Sequence, residues 1–257
     1  MLNFRNTNLL FAGLLILLIV LHACFSMPYF VYALLLFTYS LIVFYGCVNI
    51  ASGFFLPVTC KANPSGNEIA ISFDDGPANE HTAEILQVLE KENVKAAFFC
   101  IGNRIPGNER LLKKIIDHGH IIGNHSYSHH FWFDLFSPAK MLKDMQMMDE
   151  AMKAVTGLQP KLFRPPYGVT NPNLKKAIIR GNYIPVGWSV RSMDTVTKDE
   201  HKLLNHVMAG LRPGAVFLFH DTCESTFKML PTFIKEVKKR GYQFVPLDKL
   251  LHLTPYA

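Results

Sequence analysis

Two charge-free apolar runs, residues 9–24 and 29–58, open the chain and are separated by Ser26-Met27-Pro28. A bilayer core about 30 Å thick takes roughly 20 apolar residues in a helix. The pattern therefore predicts a hairpin of two membrane helices, at about 9–25 and 29–56, and reads residues 1–60 as a membrane anchor. The first run is short for a span and also fits the apolar part of a signal peptide, with Arg5 as its one upstream cation, so the anchor holds one or two transmembrane helices. Leu21-His22-Ala23-Cys24 faintly resembles a lipoprotein cleavage site, but His22 stands where such sites take small residues, and a second apolar run follows at once. A single arginine does not set the orientation.

Beyond the polar, linker-like stretch 61–67, the pattern changes to short apolar runs alternating with amphipathic segments. Strands are expected at 69–73, 96–101, 120–123, 161–164, 183–186, 215–219 and 243–245. Helices are expected at 82–92, 109–118, 138–155, 173–180, 198–209 and 226–240. Repeated βα units of this kind predict an α/β fold, a parallel and distorted (β/α) barrel occupying residues 61–257 as one catalytic domain.

Composition adds limits. With 49% apolar residues in 257, the chain can bury a sizeable core. Its net charge of +6 suits an anionic cell-wall polymer or lipid headgroups, although the lysine pairs read as solvated helix faces. No nucleic-acid signature is present. Five scattered cysteines without Cys-x-x-Cys spacing suggest neither a disulfide framework nor a zinc ribbon.

The candidate chemistry sits at strand ends. Asp74 and Asp75 close the run Ile71-Ser72-Phe73-Asp74-Asp75-Gly76-Pro77, where an α/β fold carries polar groups without spoiling its core. Asp-Asp-Gly-Pro alone is ordinary turn chemistry. His125 and His129 add more, because on a helical turn residues four apart project from one face and can chelate one metal. One Asp and two His leave a divalent metal an open position for water, and the second carboxylate can serve as base. Two further segments end at the same rim, Phe163-Arg164-Pro165-Pro166-Tyr167-Gly168 and Val216-Phe217-Leu218-Phe219-His220-Asp221.

Read together, residues 68–250 resemble the polysaccharide deacetylases, carbohydrate esterases that remove acetyl groups from the amino sugars of chitin or peptidoglycan. Ser-Phe-Asp-Asp-Gly-Pro, His-Ser-x-x-His, Arg-x-Pro-Tyr and Leu-x-His-Asp occur here in the family's order. The resemblance implies that Asp75, His125 and His129 hold a divalent metal, usually zinc, and that Asp74 is the general base. It implies that Arg164 orients Asp74, that the Tyr167 backbone N–H faces the oxyanion, and that His220 is the general acid. Trp188 and Leu218 would line the acetyl pocket, although each taken alone reads rather as core. The family often shows Asp-x-x-Asp-Trp after the tryptophan, whereas here Arg191 replaces the earlier Asp, leaving Asp194 as the candidate partner of His220.

The expected function is metal-dependent removal of acetyl groups from N-acetylglucosamine units of peptidoglycan, a chitin-like polymer or a lipid-linked glycan. O-acetyl esterase activity, or glycan binding without turnover, are the alternatives. Expected partners are an acetylated glycan and the cell membrane, with no nucleic acid and no protein partner.

Overall fold

The computed structural model describes residues 2–64, 66–78 and 81–257. It opens with two apolar helices, α1 (Phe4–Phe25) and α2 (Phe30–Val48). They are 22 and 19 residues long with mean hydropathies of 2.5 and 2.0, and 0% and 6% of those windows is covered by protein. Both are long and apolar enough to cross a membrane. α1 begins ahead of the apolar run because the Asn3 side chain accepts the Asn6 N–H and caps it there.

The second apolar run divides. α2 stops at Val48, short of the expected end near residue 56, and Phe54, Phe55 and Leu56 turn into the α/β domain, 2%, 5% and 4% exposed. They pack with Phe133, Phe136, Met141, Phe163, Leu174 and Ile178. Hydropathy cannot separate burial in lipid from burial in protein, so the sequence pattern ran through the boundary. The stretch expected as a linker is also fastened, since Lys61 bridges to Ala215 and the Ala62 N–H donates to the Gly214 carbonyl at 3.0 Å.

The domain is a curled, all-parallel sheet with helices outside, the distorted barrel that the βα pattern predicts. Its strands are β1 (Glu68–Asp74), β2 (Ala97–Cys100), β3 (Ile121–Asn124), β4 (Leu162–Phe163), β5 (Ile184–Pro185), β6 (Val190–Arg191), β7 (Val216–His220) and β8 (Gln243–Phe244). The spatial order is β5-β4-β3-β2-β1-β7-β6, with β8 paired to the start of β1. The helices that follow in the chain are α3 (His81–Lys91), α4 (Glu109–Asp117), α5 (Pro138–Thr156), α6 (Pro172–Gly181), α7 (Glu200–Ala209), α8 (Glu224–Lys239) and α9 (Leu247–Leu251). The seven expected strands fall within one residue of their observed ends, and the six helices within two. β6 and α9 are additions, each too short to leave a periodic signal.

Alternation along β1 and β7 explains how the site is built. Ile69, Ile71, Phe73, Phe217 and Phe219 face the helix layer in the main core. Side chains of successive strand residues point to opposite faces, so Ala70, Ser72, Asp74, Val216, Leu218 and His220 face the barrel interior. Asp74 and His220 are register partners at the open ends of adjacent strands. β1 is an interior strand flanked by β2 and β7, so its end is enclosed by the rim rather than at its edge.

Phe54→Ala should lower the unfolding midpoint of the full chain by roughly 10 °C, because emptying a buried phenyl site costs about 3–5 kcal/mol. Differential scanning calorimetry in neutral detergent reads this directly. An unchanged midpoint would place Phe54 in lipid instead.

Candidate active site

The first structural anchor is Arg164, fully buried beside Asp74. Its Nη1 donates to Asp74 Oδ1 at 2.6 Å and to Ser72 Oγ at 2.8 Å. Nη2 donates to the Gly187 carbonyl at 2.9 Å and Nε to that of Val186 at 3.2 Å. The guanidinium lies 3.9 Å from the Phe99 ring centroid. Burial pulls its pKa down and Asp74 opposes that; an arginine starts so high that it stays cationic. Asp74 is thus held in one orientation, with Oδ2 turned toward His125 Nε2 at 3.8 Å.

Asp75 follows in a left-handed conformation, φ 78°, which throws its carboxylate to a different side from that of Asp74. The turn is strapped from several directions. Arg104 Nη1 donates to the Asp75 carbonyl at 2.7 Å, and the Ile101 N–H donates to that of Gly76, also at 2.7 Å. A Cβ on Gly76 would lie 2.0 Å from Asp221 Oδ2, so only glycine fits. Asp221 is fully buried; Oδ2 accepts from Thr82 Oγ1 at 2.6 Å, while Oδ1 has no hydrogen-bond partner among the described residues. Burial pushes its carboxyl up to about 7, with Asp75 and Asp74 adding to the effect.

His125 and His129 do not lie on a helical turn as their spacing suggested. They sit in a loop after β3 with Ser126 and His129 at φ 64° and 44°. Asp144 Oδ1 shapes that loop by accepting the N–H groups of Tyr127 and Ser128, and Ser126 Oγ accepts the N–H of His129. The imidazoles converge nonetheless, with centroids 4.9 Å apart. His125 Nδ1 lies 2.8 Å from the Arg164 carbonyl, which can only accept, so Nδ1 carries the proton and Nε2 offers its lone pair. Asp75 Oδ1 is 3.6 Å from His125 Nε2 and 3.5 Å from His129 Nε2. Burial, then His125, brings His129 down to about 4 against the pull of Asp75, so its ring is neutral near pH 7. One carboxylate oxygen and two imidazole nitrogens, all within 4.8 Å of one another, fit a divalent cation that takes oxygen and nitrogen ligands.

His220 stands across the cavity at the end of β7. Its Nδ1 meets Asp194 Oδ1 at 2.7 Å. Asp194 is fully buried and its Oδ2 accepts from the His220 N–H at 2.7 Å and from Thr226 Oγ1 at 2.5 Å. Met193, at φ 64°, makes the turn that brings Asp194 back under the histidine, while Arg191 is exposed at the edge of the cavity. Burial lowers the pKa of His220, but the hydrogen bond and charge of Asp194 outweigh it, and the net shift is upward.

These groups open onto a cavity of about 210 Å³. Tyr167, at φ 58° and 47% exposed, forms one lip with its ring 4.8 Å from that of His129. Trp188 covers Gly168 so closely that a Cβ there would meet the indole at 2.4 Å, and buried Leu218 completes the apolar side. All ten residues singled out from sequence, Asp74, Asp75, His125, His129, Arg164, Tyr167, Trp188, Asp194, Leu218 and His220, meet here, with Arg164 and Asp194 behind the cavity wall. Ser72, Arg104 and Thr226 were missed, and Asp221 was quoted within the Leu-x-His-Asp motif without a role. Period-two alternation on β1 carried a signal for Ser72, whereas Arg104 and Thr226 act across long sequence separations.

A family model for polysaccharide deacetylase matches residues 61–184. The peptidoglycan-N-acetylglucosamine deacetylase of Bacillus cereus is 34% identical over 196 residues, covering 73% of this chain and 69% of that protein. The peptidoglycan-N-acetylmuramic acid deacetylase PdaA of Bacillus subtilis is 32% identical over 193 residues, covering 74% and 73%. The crystal structure of the Bc1960 peptidoglycan N-acetylglucosamine deacetylase superposes with a TM-score of 0.73 at 30% identity, covering 78% of this chain and 95% of that one. The chain belongs to the polysaccharide deacetylase family.

Gly76→Ala should weaken divalent-metal binding at the Asp75–His125–His129 cluster at least about tenfold, because displaced outer contacts of a ligand typically cost that much. Asp221→Ser, which clears the space beside Gly76, should recover part of the loss in the double variant. Competition with a chromogenic chelator measures both.

Proposed function

We propose that this chain is a zinc-dependent deacetylase that hydrolyses N-acetyl groups on N-acetylglucosamine units of a glycan at a membrane. The observation that carries the reading is a single cavity flanked by a three-ligand cluster, an arginine-held carboxylate and an aspartate-held histidine. The relatives' activities on peptidoglycan amino sugars support it. A bound divalent metal would supply Lewis acidity toward the acetyl carbonyl and acidify a water molecule.

The chain's own groups account for the proton movements. Asp74, fixed through Oδ1 by Arg164, presents Oδ2 as the base that takes a proton from the attacking water. The Tyr167 backbone N–H at the lip serves the oxygen that becomes negative as the carbonyl is attacked. His220 delivers a proton to the departing nitrogen, and Asp194 keeps it charged and correctly turned. An amine leaves poorly unless protonated whereas an alkoxide needs less help, so the built acid favours amide over ester as the substrate bond. Trp188 and Leu218 give the acetyl methyl group an apolar seat. The α1–α2 hairpin is the proposed anchor.

Asp75→Ala and His125→Ala should each lose zinc and activity together, whereas Asp74→Asn should keep zinc and lose roughly 10²–10⁴ in turnover. Metal analysis beside acetate release from N-acetylglucosamine oligomers separates the roles, and full turnover in Asp74→Asn would remove the assigned base.

The pH profile gives a second test. His220 must be protonated, so turnover falls as pH rises through its raised pKa. Asp194→Asn removes the charge that raises it, and the alkaline limb of kcat/KM should move to lower pH. A limb that stays in place would mean that another group is the acid.

A further inference from the structure

The acetyl cavity does not end at Trp188. Trp188 and Arg191 also line a second, wider cavity of about 710 Å³. One wall of it is the end of α2 and the turn beyond, Val48 and Ile50 among them, and Lys61 and Arg212 join Arg191 around it. No acidic side chain lines it among the described residues, and none of the three cations forms an ion pair there. Arg212 is pre-oriented, with Nη2 donating to the Ser189 carbonyl at 2.9 Å and Nη1 to that of Gly210 at 3.1 Å. The carbonyl end of α2 offers little opposing charge, since Thr170 donates through its N–H to Cys47 and through Oγ1 to Gly46.

Three like charges gathered around one cavity repel each other, and an anion between them offsets that cost. Guanidinium groups favour phosphoryl oxygens because their forked donors bind two oxygens at once. The surfaces also adjoin: the acetyl cavity shares Trp188 and Arg191 with this one, and the three cations line it together with the end of an apolar helix that is long enough to cross a bilayer. A ligand matching these adjoining surfaces carries an acetylated amino sugar, a phosphoryl group and a hydrocarbon chain. We propose that the Lys61–Arg191–Arg212 groove binds the phosphoryl group that joins the acetylated sugar to a lipid, so that the substrate is a lipid-linked saccharide phosphate. The inference rests on the deacetylase reading. A neutral finished glycan would leave the three cations unmatched.

The test uses the full chain with zinc in neutral detergent. Acetate release is compared between N-acetylglucosamine joined through pyrophosphate to farnesol and the neutral N-acetylglucosamine tetramer. The lipid-linked probe should show a KM at least about tenfold lower, the size expected when one or two charged hydrogen bonds are added. Lys61→Glu, which lies outside the acetyl cavity, should abolish that preference, and Arg191→Gln should reduce it. Equal KM values for the two substrates, with zinc-dependent acetate release from both, would overturn the groove while leaving the deacetylase intact. If neither substrate releases acetate, the deacetylase reading fails, and Trp188 fluorescence in a Trp132→Phe background decides the groove. Quenching by the farnesyl probe that Lys61→Glu removes supports it, and quenching that Lys61→Glu leaves unchanged refutes it. Equal quenching by phosphatidylglycerol micelles without sugar would make this a headgroup site and overturn the substrate assignment.

Discussion

The site depends on where Arg164 is buried. Its side chain fixes Asp74 and Ser72 on β1 and the carbonyls of Val186 and Gly187 after β5, while its own carbonyl orients His125. One residue therefore sets the direction of the proposed base and the tautomer of a metal-ligand candidate. A buried guanidinium is costly to place, and removing one partner of such a pair typically costs about 3–5 kcal/mol because the other is left uncompensated. Here every nitrogen of the fork is engaged, so the charge is satisfied and immobile. Lysine in this position would have a point charge and no fork, and could not bind four acceptors in a plane.

Two adjacent carboxylates acquire different chemistry from that constraint. Asp74 ends a strand on the barrel's inner face and is 3% exposed against the arginine. Asp75 turns left-handed and meets two imidazoles instead. The strain of that turn is supported by Arg104, Ile101 and the tight contact of Gly76 with Asp221, so the candidate ligand's position is defined from below. Different surroundings, rather than different residue types, would divide the proposed labour, as in other sites where paired carboxylates take separate roles.

Strand alternation and the four motif segments were legible because they are local: a period of two, a turn after an apolar run, a histidine spacing. What was not legible is what depends on distant partners. The His125 loop takes its shape from Asp144 on α5, so a spacing that fits a helical turn was satisfied by another geometry. Asp194 was named as the candidate partner of His220, and the two do pair, but the means was not legible: Met193 reverses the chain after a two-residue strand, and no sequence rule marks that position for a left-handed methionine. The end of α2 was hidden for a different reason, since Phe54 and its neighbours are equally apolar whether lipid or protein covers them.

The same ambiguity conceals how firmly the proposed anchor is joined to the chemistry. Thr170, two residues beyond the Gly168 that packs on Trp188, closes the carbonyl end of α2, and Phe54 packs against Gly46 within that helix. Phe54 also accepts the Phe4 N–H through its carbonyl, so both ends of the hairpin meet the domain at one junction. The polar stretch that follows, which in isolation reads as a tether, is pinned at Lys61 and Ala62 to the barrel. An enzyme on a flexible tether samples substrate over the tether's reach. This domain instead holds its rim at a set position relative to the apolar helices, and with the hairpin as the proposed anchor that geometry would favour substrates presented at a constant height above the membrane surface.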